Sequence, residues 1–178
     1  MIIDSSNIDK GKVISTDICI IGAGVAGITV AREFIGKKFN VVLLESGGQE
    51  PRAEIQSLNT GKNIGVPYYD LDRTRVRAFG GTSHRWTIDI NNEEQGVRLR
   101  GMDKIDFEKR DWVPYSGWPF GKEHLDPYYE RAHDVCKIGP YTYNVEDWTN
   151  NGAKPPLPFA NDKVKTTVFQ FAPKKVFY

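Results

Sequence analysis

Cysteine is nearly absent from this chain of 178 residues: Cys19 and Cys136 stand far apart, and neither has a metal-ligand neighbour at a useful spacing. That excludes a disulfide framework and a thiolate metal site, and it leaves two reduced thiols. No charge of either sign dominates, since 24 lysines and arginines face 23 aspartates and glutamates. Nothing in that balance calls for nucleic acid or an anionic membrane. Long apolar runs are missing as well. The longest, Ile18 to Ala31 between Asp17 and Arg32, is 14 residues, short of the ~18 a spanning helix needs. No strongly basic segment precedes it and no small-residue cleavage site follows, so the cytoplasm is the expected compartment. Internal repeats and low-complexity tracts are absent.

What the chain does have is aromatic residues in its second half, including all four tryptophans at 86, 112, 118 and 148. Bulky rings in polar, proline-containing sequence point to ordered loops packed on a core. The length is that of one domain, or one and a fragment, and is enough to bury a core.

The apolar run resolves into a strand that turns into a helix. Residues 16–22 (TDICIIG) read as a buried parallel strand, 25–39 as a helix with Gly36 near its end, and 40–45 (NVVLLE) as a second buried strand. Strand, glycine turn, helix and strand within about 30 residues make a βαβ unit. Further on, 46–61 is loop with room for one short helix, and 101–121 is rich in turns and aromatics.

Residues 122–139 place Leu125, Tyr128, Tyr129, Ala132, Val135 and Cys136 on one face of an amphipathic helix. It is expected to start near Asp126 as cap, with Pro127 in its first turn and Gly139 as its stop. Residues 139–162 then read as a long connection and 163–171 as one more strand.

Gly22, Gly24 and Gly27 form G-x-G-x-x-G between the first strand and the helix. The first permits a tight turn, the second lets a pyrophosphate approach the backbone, and the third lets helix and strand pack closely. Glu45, 21 residues beyond Gly24 at the end of the second strand, suits a ribose hydroxyl and disfavours a 2′-phosphate. FAD and NAD both use such a loop, so the turn alone leaves the choice open.

Three stretches decide it: LLESGG (43–48), RAFGGTSHRW (77–86) and IDFEKRDWVPYSGWPFGKEHLDPYYERAHDV (105–135). With them, residues 16–139 resemble the glucose–methanol–choline family of FAD-dependent oxidoreductases, in its sugar and polyol dehydrogenase branch. The resemblance implies a Rossmann-like α/β FAD-binding domain with aromatic-rich loops and one additional amphipathic helix. It implies that Gly22, Gly24 and Gly27 take the FAD pyrophosphate and Glu45 the adenosine ribose. Gly80, Gly81, Thr82 and Ser83 would form the loop under the flavin and phosphates, where a glycine pair exposes N–H groups and the hydroxyls add donors.

Some family members bind flavin covalently through a histidine in this loop, but that position is Arg85 here, one residue past His84. A non-covalent FAD is therefore expected. His84 reads as a polar loop residue, and His124 and His133 as solvent-facing. Arg73, Arg75 and Arg77 alternate and read as a solvated face of an extended segment. Trp112 and Trp118 read as loop anchors.

In the family, alcohol oxidation passes hydride to flavin N5 while a histidine near the C-terminus of a much longer chain takes the hydroxyl proton. No residue of this chain matches that position, so no catalytic residue and no metal site is assigned. The expected organisation is a flexible arm (1–15), the N-terminal portion of an FAD-binding domain (16–139), and a linker opening a truncated substrate-binding region (140–178). The sheet would be incomplete and the chain marginally stable and inactive alone. Three readings follow. The chain is an N-terminal fragment, with a small alcohol or sugar as substrate only in full-length relatives; half of a two-chain flavoenzyme complemented by a C-terminal chain; or a non-catalytic adenine-dinucleotide module.

Overall fold

A computed structural model describes residues 1–90, 92–158 and 163–173; residues 91, 159–162 and 174–178 lie outside the described residues. The chain forms two compact units that divide between Arg85 and Trp86. Among the described residues no helix is long and apolar enough to cross a membrane.

The first unit is built on β1 (Ile18–Ile21), α1 (Val25–Arg32) and β2 (Val41–Leu44). The strands pair in parallel from Ile18 opposite Val41 to Ile21 opposite Leu44. Isoleucine, valine and leucine supply the β-branched and apolar side chains that this pairing favours. The pairing is tied at one end by Asn40, whose N–H donates to the Asp17 carboxylate at 2.7 Å and whose carbonyl accepts from Thr16 Oγ1 at 2.6 Å.

The expected helix over 25–39 ends early, at Arg32. Beyond it Phe34, Ile35 and Lys37 each donate to the carbonyl three residues back. The chain has tightened into short turns, closed by the edge-to-face packing of Phe34 on Phe39 at 5.7 Å. The two-stranded sheet has no third strand among the described residues, and Ile21 is 86% exposed.

Two single-turn helices follow, α2 (Ala53–Gln56) and α3 (Leu71–Thr74). The Gln56 amide nitrogen donates to the carbonyls of Asp72 and Arg75, and its oxygen accepts the Arg77 N–H at 3.1 Å. The three arginines are not a row. Arg73 lies on α3 beside Asp70, whereas Arg77 reaches Asn59 at 3.2 Å and Ser46 at 3.0 Å. A helical turn between Arg73 and Arg75 breaks the alternation that an extended segment would have kept.

The second unit opens with an antiparallel hairpin of β3 (Ile88–Ile90) and β4 (Glu93–Gln95), then β5 (Arg98–Leu99) and the single-turn α4 (Lys104–Phe107). The sequence reading assigned nothing to the hairpin, whose turn places Asn92 at φ 66°, the left-handed region asparagine tolerates. Asp103 and Asp106 form a reciprocal capping box on α4. Trp118 packs on Phe107 and Phe120 at 5.8 and 5.5 Å, so it anchors its loop, while Trp112 is exposed.

The amphipathic helix is α5 (Asp126–Cys136). Four expectations about it are corrected. Asp126 is its first residue and caps nothing, because its carboxylate takes the Lys122 ammonium and the Tyr141 hydroxyl instead. The stop is Lys137 at φ 53°, with the Ile138 N–H donating to the His133 carbonyl at 3.0 Å, so the helix has ended before Gly139. Tyr128 is exposed, and His133, expected to face solvent, is 3% exposed. Its Nδ1 donates to the Gly139 carbonyl at 2.7 Å, and its Nε2 meets the Tyr143 hydroxyl at 2.9 Å. These bonds let an imidazole enter the packed face at low cost.

Burial, helped by nearby Tyr141, pushes the Tyr143 phenol up to about 12 from its ordinary 10.0. The raised value means that the folded chain keeps a proton the unfolded chain releases. Stability from this group is therefore complete below pH 10 and lost progressively as pH rises through about 12. A spectrophotometric phenol titration should show one tyrosine ionising two units above exposed tyrosine, with the Tyr143→Phe chain lacking that step.

The long connection contains a further turn of helix, α6 (Val145–Thr149), that the sequence reading missed. The strand expected over 163–171 shrinks to β6 (Gln170–Phe171), which pairs antiparallel with β5. The Ala172 N–H extends the ladder to Val97 at 2.9 Å. The buried Gln170 amide donates to Pro140 and Thr142, both at 2.9 Å.

Candidate dinucleotide site

All eight residues singled out from the sequence fall in the first unit, on two glycine turns and the end of β2. Gly22 ends β1 at φ +97°, with its N–H bonded to Leu44 at 2.7 Å. Only a residue without a Cβ takes that conformation without strain. Gly24 caps α1 with its own backbone, and no side chain bonds the first turn, leaving helix N–H groups without intrahelical partners.

The second turn lies directly on the first. Gly24 pairs with Gly80 in an isolated parallel bridge, and the Gly80 N–H donates to the Ala23 carbonyl at 2.8 Å. A Cβ on Gly81 would stand 2.9 Å from Gly24 Cα, and one on Gly27 only 1.9 Å from the Gly22 carbonyl oxygen. These two glycines are required by packing. Gly22 and Gly24 differ: a Cβ on either would meet nothing within 4 Å, so open room lies before the helix terminus. Open space, free N–H groups and the positive end of α1 suit a pyrophosphate.

Residues 81–85 make a short 3-10 turn. The buried Ser83 hydroxyl donates to the Gly80 carbonyl at 2.7 Å, and Thr82 Oγ1 accepts the Val76 N–H at 3.4 Å. Both hydroxyls hold the loop in shape here. His84 Nε2 bonds the Phe79 carbonyl at 2.8 Å, another tie within the same loop.

Glu45 joins the parts. One carboxylate oxygen accepts the Ala23 N–H at 2.7 Å and the other the Gly47 N–H at 2.8 Å. The Ser46 hydroxyl adds a longer bond at 3.4 Å to the oxygen that Gly47 meets. An ionised carboxylate has about four acceptor sites, so capacity for a ribose hydroxyl remains on the oxygen facing Ala23. The sequence reading assigned no role to Gly47, where a Cβ would stand 2.3 Å from the Arg77 carbonyl oxygen. Gly48 accepts the Phe79 N–H at 2.9 Å. The Gly47–Gly48 pair directly after Glu45 was the available signal, because paired glycines mark close backbone approach.

Comparison with known proteins agrees with this geometry. The FAD dependent oxidoreductase family (DAO) matches residues 17–148, a span that includes both glycine turns, Glu45 and α5. No curated protein and no solved structure matches the chain. A match over most of the sequence, taking in a turn whose room and donors fit a pyrophosphate, makes this chain a member of the FAD dependent oxidoreductase family, with FAD as its cofactor.

Proposed function

We propose that the chain is the FAD-binding portion of a glucose–methanol–choline-type oxidoreductase that oxidises the CH–OH carbon of an alcohol or sugar. The observation that carries this reading is the backbone contact of the Gly22–Gly27 turn with Gly80–Gly81, which builds one phosphate cradle from two segments of the chain. The motifs at 43–48, 77–86 and 105–135 support the family branch.

On this reading the N–H groups at the start of α1 hold the pyrophosphate, Glu45 fixes the first turn through Ala23 and takes the ribose, and the Gly80–Gly81 turn braces the first turn at Ala23 and Gly24. Bound FAD supplies the acceptor for the hydride leaving the alcohol carbon. No base is assigned to the histidines: His84 and His133 bond backbone carbonyls, and the His124 ring lies against Phe120 at 4.8 Å. The proton acceptor belongs to the family's C-terminal catalytic portion, and the cofactor is held without a covalent link.

The test is the absorption spectrum of the purified chain with added FAD, before and after acid precipitation. Flavin bands that pass into the supernatant are expected. Colour retained in the pellet would overturn the non-covalent assignment. A chain that binds ADP but ignores FAD would overturn the flavoenzyme reading in favour of a nucleotide-binding module.

A further inference from the structure

Asparagine followed directly by glycine occurs once in the chain, at Asn151–Gly152. The pair lies just past α6, and both residues are exposed. Gly152 takes φ +93°, and a Cβ built on it would meet nothing within 4 Å. With no side chain of its own and no neighbour where one would stand, Gly152 leaves its backbone nitrogen uncrowded.

The Asn151 side chain is part of the turn. Its amide nitrogen donates to the Asp147 carbonyl at 2.6 Å, and the Gly152 N–H donates to the Thr149 carbonyl at 3.1 Å. The Asn150 N–H donates to Glu146 and the Ala153 N–H to Trp148, both at 3.0 Å. Trp148 in turn donates its indole N–H to the Thr142 carbonyl at 3.3 Å. A helix of five residues is too short to persist on its own, so bonds of this kind hold it in place.

We propose that Asn151 is a site of spontaneous deamidation, gated by the opening of this turn. The Gly152 nitrogen gives its proton to hydroxide and attacks Asn151 Cγ. The N–Cγ bond forms, the Cγ–Nδ2 bond breaks, and Nδ2 leaves as ammonia with a proton taken from water. One water molecule then opens the cyclic succinimide. Its addition at Cγ gives aspartate and its addition at the backbone carbonyl gives isoaspartate, with nothing oxidised or reduced. Ring closure needs both nitrogens released, because Thr149 holds the attacking one and Asp147 the leaving one. The closed turn is the protected state, and local opening is the step that exposes it.

The product does not fit where the amide did. A carboxylate only accepts hydrogen bonds, so an oxygen replaces the donor that faced the Asp147 carbonyl. It also brings negative charge to the C-terminal end of α6, where the helix dipole favours cations. Deamidation thereby holds the turn open.

The test is peptide mapping by mass spectrometry of the full chain, incubated at mildly alkaline pH both folded and in urea. Deamidation is expected first at Asn151, as aspartate and isoaspartate together, and about tenfold or more faster in urea. Asn151→Gln, whose side chain would have to close a larger ring, should block it. In Asn151→Asp, amide hydrogen exchange at Asn150 and Ala153 should quicken by about tenfold, for one lost hydrogen bond and an adverse charge at the helix end. Another asparagine reacting before Asn151, or equal rates folded and in urea, would overturn the proposal. Unchanged exchange in Asn151→Asp would overturn the claim that the product holds the turn open.

Discussion

The Gly27→Ala chain takes up FAD at least about a hundredfold more weakly than the wild type and is less stable by about 1–3 kcal/mol, the range for overpacking a close contact. The added Cβ would lie 1.9 Å from the Gly22 carbonyl oxygen, 3.1 Å from its carbon and 3.4 Å from Ile20 Cγ2. Two of those atoms are backbone, so no side chain can swing away. Relief requires α1 to move off β1, which carries the helix N–H groups away from the phosphate position. Losing two charge-assisted hydrogen bonds at about 1.5–3 kcal/mol each accounts for the affinity.

Gly24→Ala is the discriminating control. Its Cβ meets nothing within 4 Å, so it should melt close to the wild type and still lose FAD, because the methyl stands in the room left for the ligand. Thermal melts with titration of flavin fluorescence separate the two effects. A Gly27→Ala chain that binds FAD like the wild type would remove this turn from the cofactor site.

Gly47→Ala is expected to destabilise the first unit by about 2–4 kcal/mol, at or just above the usual overpacking range. Its Cβ would stand 2.3 Å from the Arg77 carbonyl oxygen, 2.5 Å from that carbon and 2.6 Å from Ala78 Cα, all backbone atoms. Ala78 is fully buried, and the Phe79 N–H is bonded to Gly48 beside it. Separating these segments also strains the bond from the Gly47 N–H to Glu45. Gly48→Ala, whose Cβ comes no nearer than 3.5 Å to anything, should be close to neutral. Urea unfolding of both variants measures the difference. Equal midpoints would show that the packing at Gly47 is not what holds the 77–81 loop.

The βαβ unit and both glycine turns are legible in the sequence because each residue there is fixed by a local requirement. Ile18–Ile21 is apolar throughout, Gly22 needs a positive φ, and Gly27 has no room for a side chain. Where tertiary bonds decide, the sequence is silent. Nothing local marks His133 for burial, since its acceptor at Gly139 lies past the helix stop and its partner Tyr143 lies ten residues on. Asp126 has the chemistry of a cap but is drawn to Lys122 and Tyr141. The hairpin over 88–95 is masked by its acids, because Glu93 and Glu94 are poor strand formers chosen by pairing rather than propensity. Lys163 to Phe169 alternates like a strand, yet among the described residues the pairing begins only at Gln170.

That last pairing sets an order of events during synthesis. Leu99 and its partner Gln170 are 71 residues apart, and closing a loop of that length costs on the order of 4 kcal/mol in chain entropy before any contact forms. A ribosome adding about 5–20 residues each second needs roughly 4–14 s to make the intervening chain. β5 therefore waits with its pairing groups unmatched while the hairpin and α5 can already form. The Pro140 and Thr142 carbonyls wait with it, because the Gln170 side-chain amide that donates to them is the last of these groups to be made.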